Sequence, residues 1–212
     1  MFNFSLIEEA FPAISGAILT IYGITLTFSG IVGLILYILR AFGIYDMSKT
    51  LGVKGSVLAF IPVLNVLTFG RVAQKYQKKN GTKSAKLGAW LLILYILVRI
   101  LLAVFILLSI FAVSQIIANV ENAVSADSAV TFEMFSSLIP VIAVYFVALA
   151  LAVVYEVVYY VSLWRIFAIF TRDNATTFTV LSVLFGFLAP IFLFIHRKNA
   201  PQSIQEPFFT VE

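Results

Sequence analysis

The chain has no cysteine, a single histidine and, in 212 residues, only ten acids beside fourteen Lys and Arg. Without cysteine there is no disulfide, no thiol nucleophile and no thiolate metal site. The sole imidazole, His196, stands in "IHRK", where an interfacial anchor describes it better than a general base or a metal ligand. No Ser-His-Asp, zinc or phosphate-loop pattern occurs, so neither catalytic activity nor a cofactor nor a metal is expected. Charged residues make up 11% of the chain, against about 25% in soluble domains. With 62% hydrophobic residues and a mean hydropathy of +1.06, that scarcity excludes a water-soluble globule. An all-α integral membrane protein, a single membrane domain over 1–212, is expected.

The net charge of +4 does not argue for nucleic acid, because Lys and Arg fall between apolar runs instead of forming one basic face. The start, "MFNFSLIEEAF", is acidic where a cleavable signal would be basic, so no signal peptide is expected. Cysteine usage fits a bacterial plasma membrane.

Residues 13–39, 87–118 and 135–164 each exceed the roughly 20 residues that a helix needs to span a ~30 Å hydrocarbon core. Two more apolar stretches, 56–70 and 178–195, each hold a proline, Pro62 and Pro190. The first would reach only about 22 Å even as an unbroken helix. If all five crossed, the better orientation would leave Arg40, Lys49, Lys54, Arg197 and Lys198 outside. If the two proline-containing stretches are re-entrant, every basic residue except Arg99 becomes cytoplasmic, and Glu8, Glu9, Glu121, Asp127 and Glu133 fall outside.

The expected layout is therefore three full spans and two proline-broken re-entrant segments, N-terminus outside and C-terminus cytoplasmic. Between the spans lie cytoplasmic 40–55, basic cytoplasmic 71–86, an acidic external loop at 119–134, cytoplasmic 165–177 and a cytoplasmic tail at 196–212. "NAT" at 174–176 then lies on a cytoplasmic loop, where a glycosylation acceptor means nothing. Non-helical backbone within a bilayer needs protein or a wet cavity to satisfy it, and the breaks are expected at Pro62 with Asn65 and at Pro190. The alternative for these segments is a short kinked helix in the interface. A parallel internal repeat fits the same layout, since "LRAFGIY" at 39–45 aligns with "WRIFAIF" at 164–170 and a proline-broken segment follows each.

"GVKGSVLAFIPVLNVLTFGRVA" and "DNATTFTVLSVLFGFLAPIFLFIHRK" resemble segments of a group of small multi-pass membrane proteins of Gram-positive bacteria with no established function. Gly52, Lys54, Leu58, Ala59, Phe60, Ile61, Pro62, Asn65 and Gly70 match, while Val57 stands where tryptophan is usual. The resemblance covers about a third of the chain and implies a class, not a chemistry.

In the first span Gly16, Thr20, Gly23, Thr27 and Gly30 recur at steps of four and three, a seam of small residues with heptad geometry, and Ala148 and Ala152 form a smaller patch. Packing against the other spans is expected, with a homodimer face as the alternative. The basic stretch Arg71, Lys75, Lys78, Lys79, Lys83 and Lys86, with Val72 and Tyr76 on a possible apolar face, suits anionic lipid headgroups or an acidic partner. Arg99 lies nine residues beyond Trp90, and Glu156 eight residues before Trp164. With the tryptophans at the interface, the charges sit about 13.5 and 12 Å deep. Opposite charges at one depth are expected to meet as an ion pair, supported by Tyr95, Tyr155, Tyr159 and Tyr160. Two functions follow: a non-catalytic scaffold or accessory subunit of another membrane protein, or a small transporter or channel with its site at Arg99 and Glu156.

Overall fold

The structure, a computed structural model, describes residues 4–79, 86–125 and 135–201, with side chains described over 20–76, 86–122, at 125 and over 135–201. The described residues are almost all helical, and no strand occurs among them. Helix α1 is Phe4–Thr50, and a 3-10 turn at Ser56–Phe60 leads to α2, Pro62–Lys79. The long helices α3, Leu87–Ser125, and α4, Leu138–Phe170, follow, then a 3-10 turn at Arg172–Asn174. Two short helices, α5, Ala175–Leu184, and α6, Leu188–Ile195, close the described chain with a last 3-10 turn at His196–Lys198. Thr20–Thr50, Leu87–Asn122 and Leu138–Phe170 are long and apolar enough to cross a membrane.

All three long helices run past the C-terminal ends expected from hydropathy, while α4 begins at 138 instead of 135. α1 continues past 39 to Thr50 because Ala41, Ile44 and Met47 recur on one face and are fully buried there. It ends where Gly52, at φ +60°, takes the left-handed conformation. Gly52 N–H then donates to Lys49 O and Val53 N–H to Ser48 O, so the last carbonyls are satisfied and the chain turns back.

The segment after this turn forms a hairpin beside α1. Its apex reaches Tyr37, whose hydroxyl donates to Phe60 O at 2.7 Å, and its two arms meet where Arg71 Nη1 donates to Lys54 O at 3.4 Å. Ile61 is extended and Pro62 opens α2, at a helical position whose missing N–H has no intrahelical partner to lose. Asn65, buried in the first turn of α2, donates its side-chain amide to Ala59 O at 2.6 Å. That bond satisfies a carbonyl which the interrupted helix leaves open.

A second hairpin follows α4. Tyr160 Oη donates to Ser182 O at 3.3 Å near its apex, and Asn199 Nδ2 donates to Phe170 O at 3.4 Å where its ends meet. The break expected at Pro190 is displaced: the chain turns at Phe185–Phe187, and Pro190 lies in the first turn of α6. A proline there breaks no helical bond, because the first four N–H groups have no intrahelical acceptor.

Each hairpin packs on the other's long helix: α2 lies against α3 and α4, and α6 lies against α1. Glycine makes two of these approaches possible. A Cβ on Gly70 would stand 2.5 Å from Gly88 Cα, and one on Gly43 would stand 2.8 Å from the Leu193 carbonyl carbon. The core they enclose, around Met47, Phe69, Leu91, Leu163, Phe167 and Leu193, lies beside the basic turns. Its buried hydroxyls, Ser48, Thr68, Ser162 and Ser182, donate to carbonyls three or four residues back on their own helices.

The small-residue seam does not pack as expected. Thr20, Gly23, Thr27 and Gly30 are exposed, a Cβ on Gly23 or Gly30 would meet nothing within 4 Å, and Thr27 Oγ1 donates to Gly23 O on its own helix. Gly16 belongs to α1, but its surroundings lie outside the described side chains. The first hairpin stands between α1 and the α3–α4 pair, so their backbones scarcely approach, and the side-chain contacts that do cross, such as Arg40 on Tyr159, lie C-terminal to the seam.

Candidate functional site

Where the hairpin holds α1 away from α3 and α4, the space beyond its apex is a cavity of about 460 Å³. Each helix contributes residues three or four apart, the spacing of one helical face. α1 supplies Tyr37 and Arg40, and α2 supplies Pro62, Asn65 and Val66. From α3 come Tyr95, Val98 and Arg99, and from α4 come Ala152, Tyr155, Glu156, Tyr159 and Tyr160. Arg99, Glu156 and their four expected supporting tyrosines are thus brought together with Pro62 and Asn65, while Pro190 belongs to α6.

The cavity is ordered by an aromatic ladder. Phe69 and Tyr159 stack at 4.9 Å, Tyr159 and Tyr155 at 6.2 Å, and Tyr155 and Tyr95 lie 6.0 Å apart. Two guanidinium groups stand against it: Arg40 Cζ is 5.1 Å from the Tyr159 ring and 5.3 Å from Phe69, and Arg99 Cζ is 5.1 Å from Tyr95. Such contacts attract a cation to a ring face and leave the N–H donors unused. Nε and Nη2 of Arg40 are buried and have no hydrogen-bond acceptor.

Arg99 and Glu156 line this one cavity, but they do not form the expected ion pair. Arg197 pairs with Asp46 at 3.0 Å, but no such pair joins Arg99 to Glu156. Arg99 lies instead against Tyr95 on its own helix, one turn away, and both it and Glu156 are exposed at the cavity wall. The two charges share one site without coming into contact.

Arg40 is the site residue that sequence reading missed. At the end of an apolar run it has the look of a span boundary, and only the continuation of α1 and the fold-back of α2 and α4 place it inside. The available signal was Tyr37 and Arg40 at i and i+3 on a helix that had not yet ended.

The basic stretch is divided. Arg71 closes the hairpin, Lys75 is half-buried on α2 and Lys86 is exposed. Lys78 and Lys79 belong to the last turn of α2 with side chains outside the described set, and Lys83 lies outside the described residues. Val72 is buried in the core and Tyr76 lies 5.6 Å from Trp164, so the apolar face of this stretch meets α3 and α4, not headgroups. His196 lies against Phe178 at 4.8 Å with the ring planes tilted by 36°, and Asn199 Nδ2 is 3.2 Å from its Nδ1. No group of three or more potential metal ligands occurs among the described residues.

The architecture defines an all-helical membrane protein with three apolar helices and a polar cavity among them. No protein-family model, curated protein or solved structure matches the chain.

Proposed function

We propose that the protein binds a small anionic solute within the membrane, as a transporter or receptor does, through the cavity between Arg40 and Arg99. The observation that carries this reading is Arg40, whose buried Nε and Nη2 face no acceptor. Donors left without partners in a low-dielectric site each cost about 1–3 kcal/mol, and more when charged. A bound oxyanion offsets that cost with charge-assisted hydrogen bonds. The size supports it too, since small-molecule sites measure about 300–1,000 Å³.

In this reading the two hairpins are re-entrant from the cytoplasmic face, with the N-terminus outside. The closure of Lys54 on Arg71 and of Phe170 on Asn199 supports that arrangement, as does the basic charge gathered beside both closures. The paired hairpins, each with a tyrosine of the preceding helix bonded near its apex, support the parallel repeat. Broken helices beside an intramembrane site are how transporters expose backbone and charge to a solute.

The test is thermal stability of the purified protein in detergent with acetate or inorganic phosphate as probe. A saturable rise in melting temperature is expected for at least one of them, lost in Arg40→Gln and reduced in Arg40→Lys, which keeps the charge but not the fork of donors. No rise with either anion, or equal rises in the Arg40 variants, would contradict the proposal.

The open outer half of α1 favours a second reading, a scaffold or accessory subunit. Ile21, Ile24, Phe28 and Ile31 are exposed there beside Gly23 and Gly30, a surface on which another membrane helix fits.

A further inference from the structure

We infer that the ligand of this cavity is a zwitterion, with a phosphate or carboxylate against the two arginines and an ammonium against Glu156 and the tyrosine faces. The inference rests on the binding reading above and deepens it.

Charge makes the first argument. The cavity holds two guanidinium groups and one carboxylate, and no two of them stand within ion-pair distance. Were Glu156 there to neutralise Arg99, the pair would be closed. A simple anion would satisfy Arg40 and Arg99, yet it would bring a second negative charge towards Glu156. A simple cation would do the reverse. A ligand carrying both signs compensates all three groups at once, at a depth where a single uncompensated charge costs ~3 kcal/mol on insertion scales.

The rings make the second. Tyr159 and Tyr160 stand at i+3 and i+4 from Glu156 on α4, the same helical face, and Tyr155 lines the same cavity beside them. Tyr159 and Tyr160 meet edge to face at 74°, with centroids 5.2 Å apart, while Tyr159 and Tyr155 are nearly parallel at 24°. Aromatic faces turned about a carboxylate form the usual receptor for an ammonium group. Arg40 lies beside both Phe69 and Tyr159, and Arg99 lies against Tyr95, which neighbours Tyr155. The two guanidinium groups thus reach the ladder from α1 and α3, while Glu156 and its neighbouring tyrosines line the cavity from α4.

Two sources supply this chemistry, a zwitterionic phospholipid headgroup and a free zwitterion. The outer half of α1 is exposed and its backbone scarcely approaches α3 and α4, which leaves a side path for a lipid.

The experiment measures binding to the intact chain in detergent with phosphoethanolamine and ethyl phosphate, which match in size and differ in the amine. Dihexanoyl phosphatidylethanolamine and dihexanoyl phosphatidylglycerol serve as the lipid pair. In the wild type the amine-bearing member of at least one pair is expected to bind at least tenfold more tightly. Glu156→Gln should bring the two members of that pair to near equality, and Arg40→Lys should weaken both. If only the lipid pair binds, with the amine preferred, the source is a headgroup; binding of phosphoethanolamine itself assigns a free zwitterion or detached headgroup. Equal or tighter binding of the amine-free members, or an amine preference that survives Glu156→Gln, would overturn the zwitterion and leave the anion site standing. Failure of all four probes to bind would overturn both.

Discussion

The Asn65 side chain, 2% exposed, commits its amide to one carbonyl, that of Ala59. Asn65→Ala leaves that acceptor without its donor and removes buried contacts, so a loss of about 1–3 kcal/mol is expected, read as a lower denaturation midpoint in detergent. Arg99 and Glu156 behave differently from a bonded pair. Because they share a cavity without touching, Arg99→Leu and Glu156→Leu in ligand-free protein should be additive within about 0.5 kcal/mol in a double-mutant cycle. A coupling well above that would show a direct contact. Near the second hairpin, burial lowers the His196 pKa from its usual 6.5. The unfolded chain then binds the proton more readily than the folded one, so stability is full above 6.5 and falls as pH drops through that value towards the folded pKa. Melting temperature measured from pH 8 to pH 5 should show this slope, and His196→Gln should reduce it. Of these residues, Asn65, Arg99 and Glu156 were legible in the sequence as polar groups in apolar surroundings. Arg40 was not, because its burial depends on chain that returns 29 and 119 residues later with Phe69 and Tyr159.

Helix contacts divide the glycines into two kinds. Gly70→Ala and Gly43→Ala force a methyl against backbone, with an expected cost of about 1–3 kcal/mol each. Gly23→Ala and Gly30→Ala meet open space and should leave the stability of the single chain unchanged or slightly raised. Equal losses at all four would mean that the outer half of α1 is packed. The helical class and the first hairpin were readable from apolar length and from Pro62 at a change of charge pattern. The second turn was not, because Pro190 signals a helix start as readily as a break, and the turn at Phe185–Phe187 has only Gly186 to mark it. Nor was the length of α1: hydropathy falls after 39, while the amphipathic face of Ile44 and Met47 continues the helix under the hairpins.

Over the whole molecule, one local event organises the rest. The helix interruption at Ile61–Pro62 makes a hairpin, the hairpin separates α1 from α3 and α4, and the separation leaves a polar cavity at its apex. Ala152 lines that cavity, whereas Val153, the next residue, is exposed on the apolar outside of α4. Because the chain has no cysteine, each position can be tested alone in protein reconstituted in liposomes. The direct measurement is the rate at which Ala152→Cys and Val153→Cys react with an anionic and a cationic methanethiosulfonate reagent supplied on both sides of the bilayer. A wet, cationic cavity predicts that Ala152→Cys reacts, faster with the anionic reagent, and that Val153→Cys does not react with either. Two unreactive cysteines, or a cationic reagent that reacts faster at Ala152→Cys, would contradict it.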